Sequence, residues 1–145
     1  MKIMIINGPN INMLGIREKE IYGDNTYDSL IDMIKEHCVK KDVELSIKQS
    51  NHEGDLVTWI QQAYFEKFDG IVINPAAYTH TSVAIADAIK AISPIPVIEV
   101  HISDISLRED FRKISYCSLY CYKQIKGLGF KGYLNAIDEL LAYKQ

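Results

Sequence analysis

Glu99 and His101 stand two apart in the apolar run VIEVH at 97–101. If that run is a strand, both side chains leave it on the same face. A carboxylate beside an imidazole fixes its tautomer and stabilises the imidazolium, which makes a competent general acid. A purely structural hydrogen-bonded pair is the plainer alternative. Two other apolar runs also end on polar residues. The run at 3–7 closes on Asn7, with Asn10 and Asn12 following in NGPNIN, and the run at 70–74 closes on Asn74, followed by Tyr78, Thr79, His80, Thr81 and Ser82. A lone Asn or His is usually structural, whereas three run ends carrying such residues point to one shared crevice. His80, His101 and Glu99 could in principle ligate a metal. The surrounding Asn, Thr and Ser residues suit hydrogen bonding better, and no metal-ligand spacing appears, so no metal is expected.

The chain around these residues is ordinary in bulk. At 145 residues it fits one domain with a core of its own. A net charge of -3 supplies no basic field for nucleic acid. An anionic ligand must therefore be held by a few local donors, which makes Arg17, Arg108 and Arg112, all the arginines present, informative. The sparse cysteines Cys38, Cys117 and Cys121 lack paired C-x-x-C spacing and read as packing residues rather than a disulfide or zinc framework. The opening MKIMIINGPN is too short an apolar run for a signal peptide. No stretch approaches the roughly 20 apolar residues of a membrane span. A cytoplasmic protein is the default expectation.

The elements that must position the candidates follow from periodicity. Residues 3–7, 43–48, 70–74 and 97–101 read as strands, with a last strand expected near 121–125 in the ambiguous stretch 116–126. Helices are expected after Asn25 or Thr26, with Leu30, Ile31, Ile34 and Cys38 at helical spacing, and through Leu56, Val57, Ile60 and Tyr64. Two more are expected from a Ser82 cap over 83–92 and over 130–143. Continuous β-branched strands alternating with helices imply a parallel sheet covered on both faces, an α/β three-layer sandwich. Five strands suit the flavodoxin-like order 2-1-3-4-5, whose ligand crevice lies at the carboxyl ends of the strands. Residues 8–25 form a long Gly-, Pro- and Asn-rich loop carrying Arg17 and Tyr22, the kind of loop that serves as a lid. The helix SVAIADAIKAI is apolar nearly all round, with only Asp87 and Lys90 charged, so part of it is expected against another subunit.

Nucleotide-binding signatures fail. Neither G-x-x-x-x-G-K-[ST] nor G-x-G-x-x-G occurs. The loop GPNINMLGI has no hydroxyl residues to hold a flavin phosphate, and Asn7 and Asn74 stand where a receiver domain needs acids.

At these residues the sequence closely resembles the type II 3-dehydroquinate dehydratases. The matching blocks are NGPNINMLGIREKEIYG at 7–23, QSNHEGDLVTWI at 49–60, INPAAYTHTSVAIADAI at 73–89, VIEVHIS at 97–103 and REDFR at 108–112. The resemblance implies one catalytic domain over 1–145 with a lid at about 15–25. It implies a cofactor-free anti elimination of water from 3-dehydroquinate through an enolate, giving 3-dehydroshikimate in the shikimate pathway. By that resemblance Tyr22 is the base, Arg17 its activating partner, and His101, oriented by Glu99, the acid. Asn12 helps hold a water that stabilises the enolate oxygen. Asn74, His80, Arg112 and the backbone at Ile102 and Ser103 grip the substrate. Asp87 reaches towards a neighbouring subunit's site, and the family suggests a dodecamer of trimers. The chain departs from the family pattern at Asp104, where Asn is usual, at Ile105–Ser106–Leu107, and in the polar, aromatic SYCSLYCYKQIK at 115–126. These departures fall on edge packing and subunit contacts, and on no proposed catalytic position.

Overall fold

The structure, a computed structural model, describes residues 1–16, 20 and 25–144. Five parallel strands form one sheet in the order β2-β1-β3-β4-β5. They are β1 Lys2–Asn7, β2 Glu44–Gln49, β3 Gly70–Asn74, β4 Val97–His101 and β5 Lys123–Lys126. Every residue of β3 and β4 is buried, as is β1 after Lys2, while the edge strands β2 and β5 keep partly exposed faces. This is why the inner strands read as unbroken apolar runs and the outer ones do not.

Among the described residues four helices cover the sheet: α1 Tyr27–Lys40, α2 Glu53–Phe65, α3 Val83–Ala91 and α4 Lys131–Lys144. On one face Ile3, Ile5, Val72 and Val100 pack against Leu30 and Ile34 of α1 and Ile137 and Leu140 of α4. On the other, Met4, Ile6, Ile71 and Ile73 pack against Leu56 and Ile60 of α2 and Ile85 and Ile89 of α3. Each fully buried Ile or Leu contributes about 1.5–3 kcal/mol, so these two cores dominate the stability. The expected three layers and strand order are therefore present. Among the described residues no helix is long and apolar enough to cross a membrane.

Local chemistry sets the boundaries. Thr26 caps α1 in a reciprocal capping box with Ser29, and the Ser82 hydroxyl accepts from the Ile85 N–H at 2.9 Å to start α3. The last strand begins two residues later than expected. Cys117–Tyr120 instead forms a 3-10 turn, held as the Ser118 N–H donates to Ser115 Oγ and the Cys121 thiol to the Cys117 carbonyl. Helix α3 buries Ile85, Ala86, Ala88 and Ile89 and turns Val83, Ala84, Asp87, Lys90 and Ala91 outward. All three cysteines are free, and burial pushes Cys38 up to about 11 and Cys117 up to about 12, as expected of packing thiols.

Candidate active site

The strand order reverses between β1 and β3, and register aligns Asn7 with Asn74 across that boundary. The two chains separate there into different connections, which opens a crevice beyond the strand ends. A cavity of about 100 Å³ lies in it. The 8–13 segment supplies one wall through Pro9, Asn10 and Ile11. Asn74, Ala76, Ala77 and His80 come from the end of β3 and the 3-10 turn Ala76–His80 after it. His101, Ile102 and Ser103 come from the end of β4, and Ile105, Arg108 and Arg112 from the segment that follows.

Two lining residues hold left-handed backbone, Asn10 at φ 68° and Ala76 at φ 53°. A side chain there costs about 1–3 kcal/mol, and such positions persist only where the surroundings over-determine them. The Ala76 N–H donates to Asn74 Oδ1 at 3.1 Å, which closes the turn and fixes that oxygen. The Asn74 amide in turn donates to the Tyr133 hydroxyl at 2.9 Å, and Tyr133 donates to Asn7 Oδ1 at 2.7 Å. Asn7 is thus a buried support beneath the crevice rather than part of its lining.

Glu99 and His101 meet as their spacing requires, His101 Nε2 lying 2.6 Å from Glu99 Oε1. Glu99 is sealed from solvent. Its carboxylate also accepts from the Thr79 hydroxyl, from Ser115 Oγ at 2.9 and 3.1 Å, and from Gln124 Nε2 at 3.2 Å. Burial, the largest influence, pushes the carboxyl up. The hydrogen bond and charge of His101, with the Thr79 and Ser115 hydroxyls, outweigh it and hold Glu99 below the usual value. An anion accepts and cannot donate, so Nε2 of His101 carries a proton, and Nδ1 is left for a reacting group.

His80 is fixed by its own anchor. Its Nδ1–H donates to the Ile114 carbonyl at 2.7 Å. Burial, reinforced by the charges of His101 and Arg112, lowers its pKa against the opposing pull of that carbonyl and of Glu99. A neutral His80 offers Nε2 as an acceptor for a hydroxyl. Arg112 is braced by Glu109, Nε to Oε2 2.7 Å, so its guanidinium is held at the cavity wall.

Of the residues singled out in the sequence, Asn74, His80, His101, Ile102, Ser103 and Arg112 line the cavity and Glu99 backs it. Asn12 is exposed beside it, its Oδ1 accepting from Gln49 Nε2 at 3.3 Å, and does not line it. Asp87 is exposed on the outer face of α3 and does not line this chain's own cavity. Arg17 and Tyr22 lie outside the described residues. Sequence reasoning assigned no role to Arg108, although the scarcity of arginine had marked it. It gave no site role to Ser115, Gln124 or Tyr133, since nothing in their local sequence announces a partner that is distant along the chain. His80, His101 and Glu99 do not converge as metal ligands. Glu99 is committed to four donors, and among the described residues no three His, Cys, Asp or Glu side chains gather to hold an ion.

Comparison with known proteins agrees with this architecture. The family model described as dehydroquinase class II matches residues 1–141. A 3-dehydroquinate dehydratase of Fusobacterium nucleatum is 57% identical over 145 residues, covering 99% of this chain and 98% of that protein. The crystal structure of a type II dehydroquinase from Butyrivibrio crossotus superposes with a TM-score of 0.96 at 56% identity, covering 97% of both chains. That of Propionibacterium acnes gives 0.92 at 40% identity, covering 97% of this chain and 96% of the other. With the sheet order, the crevice at its switch point and a match over nearly the whole length, the chain belongs to the class II dehydroquinase family.

Proposed function

We propose that this chain is a 3-dehydroquinate dehydratase of the shikimate pathway. The observation that carries the reading is the sealed Glu99–His101 pair at the edge of a small polar cavity. The substrate is a β-hydroxy ketone. Removal of its C2 proton gives an enolate conjugated through the C3 carbonyl. Departure of the C1 hydroxyl with a proton from His101 then forms the C1=C2 double bond of 3-dehydroshikimate and releases water. His101 regains its proton as the base returns the one it took, so nothing is consumed. Glu99 keeps the imidazolium oriented and compensated while it acts.

Tyr22 is assigned as the base and Arg17 as its partner. A phenol has a pKa near 10, so ionising it at pH 7 costs about 4 kcal/mol. A guanidinium beside it offsets roughly 1–3 units of that. Asn12 is assigned to a water on the enolate oxygen. Asn74, neutral His80, Arg112 and the backbone of Ile102 and Ser103 take the hydroxyls and carboxylate. The reading further assigns one catalytic domain over 1–145, a lid at about 15–25, no metal or organic cofactor, a cytoplasmic location, and a homododecamer of trimers in which Asp87 serves the neighbouring site.

Turnover of 3-dehydroquinate, followed as growth of the enone's ultraviolet absorbance, tests the activity. It is expected to survive chelators and borohydride. A properly assembled protein that leaves the substrate unchanged overturns the reading. Tyr22→Phe is expected to abolish turnover with assembly intact, and a fully active variant removes the assigned base.

A further inference from the structure

Glu99 is surrounded by more donors than an orienting carboxylate needs. His101 Nε2, the Thr79 hydroxyl, Ser115 and Gln124 all lie within hydrogen-bond reach of its oxygens. The Thr79 and Ser115 oxygens also lie 2.8 Å apart, so the two hydroxyls are linked and share their protons between that contact and Glu99. The Ser115 oxygen meanwhile accepts from the Ser118 N–H at 3.1 Å, and its own hydrogen faces both carboxylate oxygens at 2.9 and 3.1 Å and the Thr79 oxygen that itself donates to Glu99. Ser115 therefore stands as a donor held in place towards Glu99, directly and through Thr79.

We propose that Ser115 is a positioning residue for the acid, taking up part of the Glu99 charge and so deciding how tightly the Glu99–His101 pair holds its transferable proton. The inference rests on the dehydratase reading above. Each donor that stabilises the Glu99 anion weakens its pull on the imidazolium. Removing one concentrates the charge on His101, and the pair keeps its proton to higher pH. A donor to an ionised group is worth about 1.5–3 kcal/mol, so one such loss is expected to move the pair's titration upward by about one unit. The value belongs to the coupled pair rather than to either residue.

The other groups facing the pair leave this effect visible. Cys117 and Cys121 are raised by burial and neutral at working pH. His80, on the turn after β3, is lowered and neutral. Arg112 is paired with Glu109, and Lys126, opposite His101 in the register, with Asp104 at 3.8 Å. Ser115 also differs in kind from Thr79 and Gln124. It belongs to the segment that carries Arg108 and Arg112, which is pinned to the crevice by the Tyr116 N–H on the Thr79 carbonyl at 2.8 Å and by His80 on Ile114. The grip on the substrate and the charge on the acid's partner are thus set by one strap.

The test compares wild type, Ser115→Ala and Ser115→Thr in the assembled enzyme. For Ser115→Ala the alkaline limb of the kcat–pH profile is expected to rise by about one unit. The plateau kcat is expected to fall about tenfold with KM nearly unchanged, because the weaker acid acts only after binding. Ser115→Thr, which keeps the hydroxyl, restores both. Independently of turnover, the imidazole NMR titration of His101, assigned against His101→Asn, is expected to move upward in the alanine variant. If Ser115→Ala does not fold, Gln124→Met removes another donor at an edge strand and is expected to shift the titration the same way. An unshifted titration in a folded donor-less variant overturns the proposal, as does failure of Ser115→Thr to restore it. Wild type lacking turnover overturns the dehydratase reading instead, and the NMR titration still decides the role of Ser115.

Discussion

A carboxylate with no exposure to water survives in the fold only because four neighbours donate to it. Its pKa is lowered, and the sign of the consequence follows. The folded state holds its proton less tightly than the unfolded chain, so the stability it contributes is present above the ordinary carboxylate pKa. That stability is lost as pH falls through the lower folded value. Glu99→Gln places an amide against donors that already face the site, and it removes the anion that supports the imidazolium. Its kcat is expected to fall by about 10²–10⁴, the worth of a positioned acid. In urea titrations the variant's midpoint is expected to lie below that of wild type at neutral pH and to approach it as the pH drops. A constant gap across that range contradicts the linkage. The Glu99–His101 pair was legible in the sequence because strand period alone puts residues two apart on one face. Its donors were not, since Thr79, Ser115 and Gln124 are brought in by three other segments that only the fold aligns.

Elements determine how closely those segments meet. At the switch point the Gly8 N–H donates to the Asn74 carbonyl at 2.7 Å. A Cβ on Gly8 would stand 2.6 Å from the Pro75 carbonyl oxygen and 2.8 Å from its carbon, both backbone atoms. Gly8→Ala must therefore push the ends of β1 and β3 apart, displacing Asn10 and Asn74 together. We expect a loss of about 1–3 kcal/mol, as for other overpacked sites, read as a lowered urea midpoint with kcat/KM down at least tenfold. Gly54 is the matched control. In α2 nothing lies within 4 Å of its Cβ position. Gly54→Ala is expected to stabilise by up to about 1 kcal/mol through helix propensity, leaving activity intact. If Gly8→Ala proves as harmless as Gly54→Ala, the close approach is not what shapes the crevice. Strands and helices were readable because buried parallel strands leave unbroken apolar runs and helices leave a period. The 115–122 segment was not, because its 3-10 turn is held by Ser and Cys side chains bonding their own backbone, which leaves no periodic trace.

At the scale of the whole molecule the outer face of α3 carries the remaining expectation. Val83, Ala84 and Ala91 stand outward around Asp87, so the helix keeps on its exposed side the apolar character that distinguishes it in the sequence. Asp87 does not line this chain's own cavity, and the proposed reading gives it to another copy's. In a monomer an exposed Ala84→Arg exchange is worth at most about ±0.5 kcal/mol, since it touches neither core nor cap. In an assembly closed across this face the same change would bury an unpaired guanidinium, which is strongly disfavoured. Light scattering of wild type is expected near 200 kDa for twelve 16.5 kDa chains. Ala84→Arg is expected to give smaller species with an unchanged circular dichroism spectrum. On the proposed reading turnover falls with assembly, each cavity losing the Asp87 assigned to it from a neighbour. Wild type running as a 16.5 kDa monomer, or Ala84→Arg remaining fully assembled, removes α3 from the interface. The part of the site assigned to Asp87 would then have to be supplied from within one chain.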